Sequence, residues 1–357
     1  MGLFRLLLAI SVVIAHVRSV FYHNDESIFN SIISRDNTHF YILSGHSVFV
    51  FFIISGFFMS MVINEKYNNL DRGFIKFWVN RGLRLYPVNI ALLVLMFLFY
   101  FFSGINSYLT LSLPDQSIPL TVASFFSNIF FFGAELITFN HIENWSYVNP
   151  QIWSLSLELY FYILAPLIVS RSIKIIFAIA MASFALRVYL NISDFPPVPW
   201  RYFFFPSDIV FFLIGVIAHR TKDATKNIGR MDLILIIRWV SLISVSIILF
   251  NKQFWPIARD FDSISSWVFF VCVAMAVPLL FSITKKNKID NFLGHLSYPV
   301  YLGHMFIVTI VYNYAKDSPD KGAITLFFSL VMAISLYFLV DKPIEKLRKK
   351  ITYRNGE

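Results

Sequence analysis

Cysteine is almost missing from this chain of 357 residues: Cys272 stands alone inside an apolar run, which excludes a disulfide framework and a thiolate metal site. Charge is scarce as well. Asp, Glu, Lys and Arg make up 14% of the residues, against 57% hydrophobic and 18% aromatic, far from the balance of a soluble domain. No internal repeat, low-complexity tract or linker of domain size is present, so no appended soluble catalytic module is expected. No small-residue cleavage site marks the first apolar run, which is therefore expected to remain as a permanent span. The net charge of +9 does not call for nucleic acid, because the bases are scattered among short connections and not gathered on one module.

What the chain does have is apolar runs of bilayer-crossing length, near 3–21, 41–63, 87–103, 151–170, 174–191, 202–219, 232–250, 265–284, 298–314 and 323–340. A further Phe-rich run covers 120–140. The basic residues decide the parity. They cluster at Lys66, Arg72, Lys76, Arg81 and Arg84, at Arg171 and Lys174, within 220–230, at Lys285, Lys286 and Lys288, and from Lys342 to Arg354. By the positive-inside rule these connections are cytoplasmic, and the intervening loops face outward. Both flanks of 120–140 then lie outside, so this run is expected to be a re-entrant or interfacial helical segment that roofs a site. The expected fold is an all-α integral membrane protein: a bundle of about ten transmembrane helices with N and C termini cytoplasmic. Residues 1–340 form a single transmembrane domain, and 341–357 a basic cytoplasmic tail.

The first span carries Arg5 and His16 eleven residues apart, close to three helical turns, so they share a face and are separated by about 16 Å. Ionisable groups at such depth are costly unless they face protein or a wet cavity, and the pair points to a path into the bilayer; the plain alternative is a snorkelling arginine and a satisfied bundle histidine. In the second span, Ser55 and Gly56 interrupt a bulky aromatic helix, which admits either a packed backbone or a ligand. Arg81 and Arg84 lie at i and i+3 before the third span. Two forked guanidiniums on one face suit a multi-phosphate ligand, or anchor the helix at lipid headgroups. At 153–160, Ser154 and Glu158 share a face, and an intramembrane carboxylate is a functional candidate: it could orient a histidine, take a proton, bind substrate hydroxyls or pair with Arg5. Arg187 and Arg201 are expected to snorkel at the outer ends of their spans, with Asp208 a turn or two into the sixth. Tyr298, Tyr301 and His304 fall on one face of the ninth span.

Taken in order, these pieces resemble the multi-span acyltransferase 3 family, membrane O-acyltransferases that decorate bacterial surface polysaccharides. The resemblance rests on Arg5 with His16, on Phe51-Phe52-Ile53-Ile54-Ser55-Gly56, and on Arg81 with Arg84. It continues through Trp153-Ser154-Leu155-Ser156-Leu157-Glu158 with Tyr160-Phe161-Tyr162, and through Ser297-Tyr298, Tyr301-Leu302 and His304. It runs from the first span to about the tenth; Leu159-Tyr160 departs from the more polar residues many members have there, and the extracytoplasmic hydrolase-like domain often fused to the family is not expected here. The resemblance implies an O-acetyltransferase of the bacterial inner membrane, with acetyl-CoA, or another acyl-CoA, as donor and no tightly bound cofactor or metal. It implies a surface glycan or lipid-linked oligosaccharide as acceptor and the lipid bilayer as surroundings. Arg81 and Arg84 would hold the phosphates of the coenzyme A thioester and Arg5 the passage of its arm. His16 would act as base or acyl carrier, and Glu158 would orient His16 or bind the acceptor. Trp153, Ser154, Tyr298, Tyr301 and His304 would line the substrate path.

Two other classes fit the residues less well. A transporter or flippase for a lipid-linked sugar could use Arg5, His16 and Glu158 as a polar path, but such proteins usually show two related halves, and none is visible. A non-catalytic scaffold has little reason to keep a costly buried ionisable set.

Overall fold

The computed structural model describes residues 1–21, 41–68, 70, 72–104, 125–136, 149–224, 231–250 and 261–353. Its long helices are α1 (Gly2–Phe21), α2 (Tyr41–Val62), α3 (Gly73–Ser103), α4 (Ile152–Val169), α5 (Ile173–Ile192), α6 (Phe205–Ala224), α7 (Met231–Phe250), α8 (Ile264–Thr284), α9 (Lys288–Ala315), α10 (Lys321–Leu336) and α11 (Lys342–Tyr353). The first ten fall on the ten apolar runs read from the sequence, and no strand occurs among the described residues. Seven stretches are long and apolar enough to cross a membrane on length and composition alone. Helices α6 and α9 are less apolar because they carry Asp208 and His219, and Asp290, His295 and His304. Large apolar side chains cover the outside of the bundle, with Phe97, Phe101 and Phe102 of α3 at 67%, 71% and 80% exposure. Such a surface is stable against lipid and not against water. The chain is an all-α, multi-pass membrane protein.

Lipid tails are as apolar as leucine, so burial alone does not bring helices together in a bilayer; close packing and interhelical hydrogen bonds do. Glycines supply the closest approaches. A Cβ on Gly56 would stand 1.9 Å from the Phe212 carbonyl oxygen, and one on Gly215 would stand 2.0 Å from that of Ile53, so α2 and α6 touch backbone to backbone. Helix α1 lies against α2 and α9, with Ser11 Oγ and Ser47 Oγ 2.7 Å apart across the first of these contacts. At the start of α1, the Asp290 carboxylate of α9 accepts the backbone N–H groups of Gly2 and Leu3 at 2.8 and 2.9 Å, a cap supplied from another helix.

The described part of the Phe-rich run, 125–136, is a helical turn that reverses at Phe131 and Gly133, both at positive φ. It docks on the flank of α3 and α4. Asn89 Nδ2 donates to the Asn128 carbonyl at 2.9 Å, Ser156 Oγ donates to that of Phe131, and Tyr160 OH donates to Glu135 Oε1 at 2.6 Å. None of its described residues lines the cavity below, so the expected roof is here a side buttress. Within the stretch read as a basic tail, the described residues form α11, which packs on α3 after a wide π turn at Tyr337–Asp341.

Arg187 and Arg201 do not snorkel. Arg187 Nη1 meets Asp208 Oδ1 at 2.6 Å, Arg187 Nε meets Asp262 Oδ1 at 2.5 Å, and Arg201 Nη1 meets Asp262 Oδ2 at 2.7 Å. The Arg187 side chain is 1% exposed, between the rings of Phe49 and Phe211 at 5.0 and 5.1 Å. Two aspartates inside the bundle draw the guanidiniums inward, where each compensates a charge that lipid headgroups would otherwise have met.

Candidate active site

A cavity of about 190 Å³ opens among α1, α2, α3, α4 and α9. Helix α2 lines it from Val48 to Val62, about 21 Å of helix axis. One end is basic: Arg5, Arg81 and Arg84 converge there from α1 and α3. The i, i+3 spacing of Arg81 and Arg84 puts both on one face of α3, and the share of α1 beside them is Arg5. Arg81 is nearly buried, its guanidinium 5.6 Å from the Phe77 ring and 5.9 Å from that of Tyr162. Among the described residues no carboxylate lies within ion-pair distance of Arg5, Arg81 or Arg84. Three unpaired guanidiniums at the mouth of a largely apolar cavity are a site for an anion.

Glu158 forms the middle of the wall. Its Oε1 accepts from Ser55 Oγ at 2.8 Å and from the hydroxyl of Tyr162, one turn along α4. The two residues that interrupt the aromatic helix α2 therefore divide the labour: Gly56 admits α6, and Ser55 holds the carboxylate. Tyr162 was not among the candidates, although its i+4 spacing from Glu158 was a usable signal. Opposite, Tyr298 OH donates to the Leu85 carbonyl at 2.8 Å, and Ser297 completes the wall.

Toward the far end of its wall Ser154 Oγ and Tyr301 OH lie 2.6 Å apart. Behind them, one turn on along α9, His304 meets His16: Nε2 of the former is 3.2 Å from Nδ1 of the latter. Hydrogen bonding assigns the tautomers. His304 Nδ1 is 2.8 Å from the Tyr301 carbonyl and so carries its proton, leaving Nε2 as acceptor. His16 Nδ1 is 2.9 Å from the Val12 carbonyl and also faces that acceptor, so it too is the protonated nitrogen. The lone pair of His16 is then on Nε2, the nitrogen available as base or nucleophile.

The structure thus brings together Arg5, Arg81, Arg84, Ser55, Ser154, Glu158, Tyr298 and Tyr301 on one cavity and places His16 outside its lining, beside His304 one turn on from Tyr301. The expected partnership of Glu158 with His16 does not form. Glu158 is one helical turn deeper than Ser154 and spends its hydrogen bonds on Ser55 and Tyr162, while His304 takes its place beside His16. Trp153 leaves the path as well, packing on Tyr202 and Phe203 with ring centroids at 4.8 and 4.3 Å. Gln151, not a candidate, ties α4 to α9 through the Leu302 carbonyl at 2.5 Å.

Comparison with known proteins gives this arrangement its context. The chain is similar to the protein named O-acetyltransferase OatA in Staphylococcus aureus strains NCTC 8325 / PS 47 and COL, 24% identical over 327 residues in each. These matches cover 83% of this chain and 52% of the relatives, so the chain spans about half the length of the curated relatives it matches. No solved structure matches. A family model described as an acyltransferase domain matches residues 1–340, which takes in α1 to α10 and every cavity-lining residue, and on that match the chain belongs to the acyltransferase 3 family.

Proposed function

We propose that this chain is a membrane O-acyltransferase that moves an acyl group, acetyl in the first instance, from cytoplasmic acyl-coenzyme A to a hydroxyl of an extracytoplasmic cell-envelope glycan or lipid-linked sugar, in the bacterial inner membrane. The observation that carries the reading is one continuous wall, from the unpaired Arg5, Arg81 and Arg84 past Glu158 to Ser154 and Tyr301, with the His16–His304 pair one turn behind. A nucleotide-linked thioester has that polarity: phosphates at one end, a flexible amide-bearing arm, and a reactive carbonyl at the other.

The arginines hold the phosphates as forked, charge-assisted pairs. The arm runs along α2 and α4, and Glu158 accepts from its amide N–H groups. The thioester carbonyl stands at the Ser154–Tyr301 pair, whose hydroxyls polarise it. His16 Nε2 removes the acceptor's hydroxyl proton, and the oxygen attacks the thioester carbon, expelling the thiolate, which leaves as the thiol once protonated. Alternatively Nε2 attacks the thioester carbon first, expels the thiolate and forms an acyl-imidazole; the acceptor oxygen then attacks that carbon, the C–N bond breaks, and the hydroxyl proton passes to the released Nε2. In both routes His304 Nε2 accepts from His16 Nδ1 and stabilises the positive imidazole.

Calorimetric titration of coenzyme A into detergent-purified protein tests the donor site. The wild type should bind. Arg81→Ala/Arg84→Ala should bind at least about 10²-fold more weakly, since each charge-assisted contact is worth ~1.5–3 kcal/mol. A wild type that ignores coenzyme A, or a double variant that binds as well as wild type, overturns the reading. Glu158→Gln keeps an acceptor for Ser55 and Tyr162, so the melting temperature should hold while transfer falls by about 10–100-fold, the same charge-assisted range. Undiminished turnover by that variant would remove Glu158 from the site.

A further inference from the structure

The residues that line the cavity keep step from helix to helix. Ser55 Oγ donates to Glu158 Oε1 at 2.8 Å, so these positions of α2 and α4 are level. One turn farther from the arginines stand Phe51 on α2 and Ser154 on α4. Helix α9 brings Tyr301 to the same height: its hydroxyl is 2.6 Å from Ser154 Oγ, and its ring centroid is 6.0 Å from that of Phe51. Among the described residues, Val48 alone lines the cavity beyond this level, about 4.5 Å of helix axis past Phe51. Helix α4 contributes no lining residue before Ser154, and α9 none after Tyr301. The space beside the two hydroxyls is therefore short, and Val48, Phe51, Phe52 and Leu155 make it apolar.

Its wall at Phe52 has little room to give. The Phe52 ring stacks on that of Phe212 from α6 with centroids 4.4 Å apart and planes 20° apart. Phe212 stacks in turn on Phe161 of α4, at 4.4 Å and 21°. Phe161 and Phe212 are fully buried, and Phe52 is 3% exposed. The backbone behind the stack is pinned as well, since Gly56, one turn along α2 from Phe52, lies so close to the Phe212 carbonyl that a Cβ would overlap it. A close-packed stack of this kind takes up an added methylene only with strain. We propose that Phe52, backed by Phe212 and Phe161, limits the length of the acyl group: this end of the cavity seats the methyl of an acetyl thioester and excludes butyryl and longer chains. The proposal rests on the donor reading above, which puts the thioester carbonyl at Ser154 and Tyr301, and adds to it the residue that sets chain length.

The test is calorimetry with the full chain in nanodiscs, wild type beside Phe52→Leu and Phe52→Ala. The ligands are free coenzyme A and its 2-oxopropyl, 2-oxopentyl and 2-oxoheptyl derivatives, ketone analogues of the acetyl, butyryl and hexanoyl thioesters that cannot transfer. The wild type should bind the 2-oxopropyl compound at least about tenfold more tightly than the 2-oxoheptyl one, the scale on which an apolar pocket discriminates chain length. Phe52→Ala opens an apolar space against Phe212 that an alkyl tail can fill, so that ratio should move by about tenfold or more toward the 2-oxoheptyl compound, with free coenzyme A bound as in the wild type. Phe52→Leu, the variant that keeps more of the packing, should improve the 2-oxopentyl compound first; it decides the matter if Phe52→Ala does not fold. A wild type that binds coenzyme A and all three ketones alike has no length limit at this wall, and the proposal falls. It falls too if the variants keep the wild-type ratio, or if they weaken coenzyme A and every ketone equally, which is the mark of a packing role. A wild type that binds none of the four ligands defeats the donor reading itself, a result distinct from the others.

Discussion

His16→Ala is expected to lower acyl transfer by about 10²–10⁴-fold, the usual contribution of a positioned general base, with coenzyme A affinity unchanged. The separation follows from the geometry. His16 lies behind the Ser154–Tyr301 pair and touches no residue of the arginine cluster, so its removal leaves the phosphate site as it was. What is lost is the lone pair on Nε2, which the bonds of Nδ1 to Val12 and His304 keep in place. His304→Asn is the companion variant. It deletes the acceptor facing Nδ1, so it should reduce turnover, leave donor affinity intact and move the acid limb of the pH–rate profile, because that limb belongs to the coupled pair and not to either ring alone. The sign is fixed by the role: the working His16 is neutral, and activity falls as pH drops and the pair takes up a proton. Single-turnover mixing of acetyl-coenzyme A with purified protein gives the rate, and calorimetry the affinity. Full transfer by His16→Ala would falsify the assignment, whereas simultaneous loss of donor binding would place His16 in the donor site.

The helices were legible because each is an apolar run bounded by bases, and the bilayer allows little else over such lengths. The cavity wall was legible to the extent that its residues are costly in lipid: Arg5, His16, Arg81, Arg84 and Glu158 stand out from an apolar background. What was not legible is which of them meet. Glu158 and His16 both sit mid-helix in sequence, but α4 starts at Ile152 and α9 carries His304 to the level of His16, so partners are decided by the axial offset between helices, a quantity no single helix encodes. Arg187 was misread for a related reason. Its place at a span end fits snorkelling, and only the arrival of Asp208 from α6 and Asp262 from the approach to α8 turns it inward. The packing of α11 on α3 was likewise not legible, because its many charges read only as a basic stretch.

Arg187→Met is expected to destabilise the protein by about 3–5 kcal/mol, the cost of removing one partner from a buried ion pair. Asp208 would be left 0% exposed with its arginine gone, while Asp262 would still have Arg201. The loss should therefore trace to Asp208 alone. Arg187→Met/Asp208→Thr tests that: it removes both charges, and the threonine hydroxyl can bond back to the Phe204 carbonyl, which already accepts the backbone N–H of Asp208 at 3.2 Å. Most of the lost stability should return in the double variant, since replacing a buried pair outright is often close to neutral. Reversible unfolding in mixed micelles, followed by tryptophan fluorescence, measures both. The network joins α5, α6 and the approach to α8 near the Tyr202–Trp153 contact, within a turn of Ser154, so the single variant should also loosen the cavity wall at Ser154. If both variants unfold with the wild type, the quartet contributes no net stability, and its retention in an apolar bundle then has to be sought in the substrate path beside it.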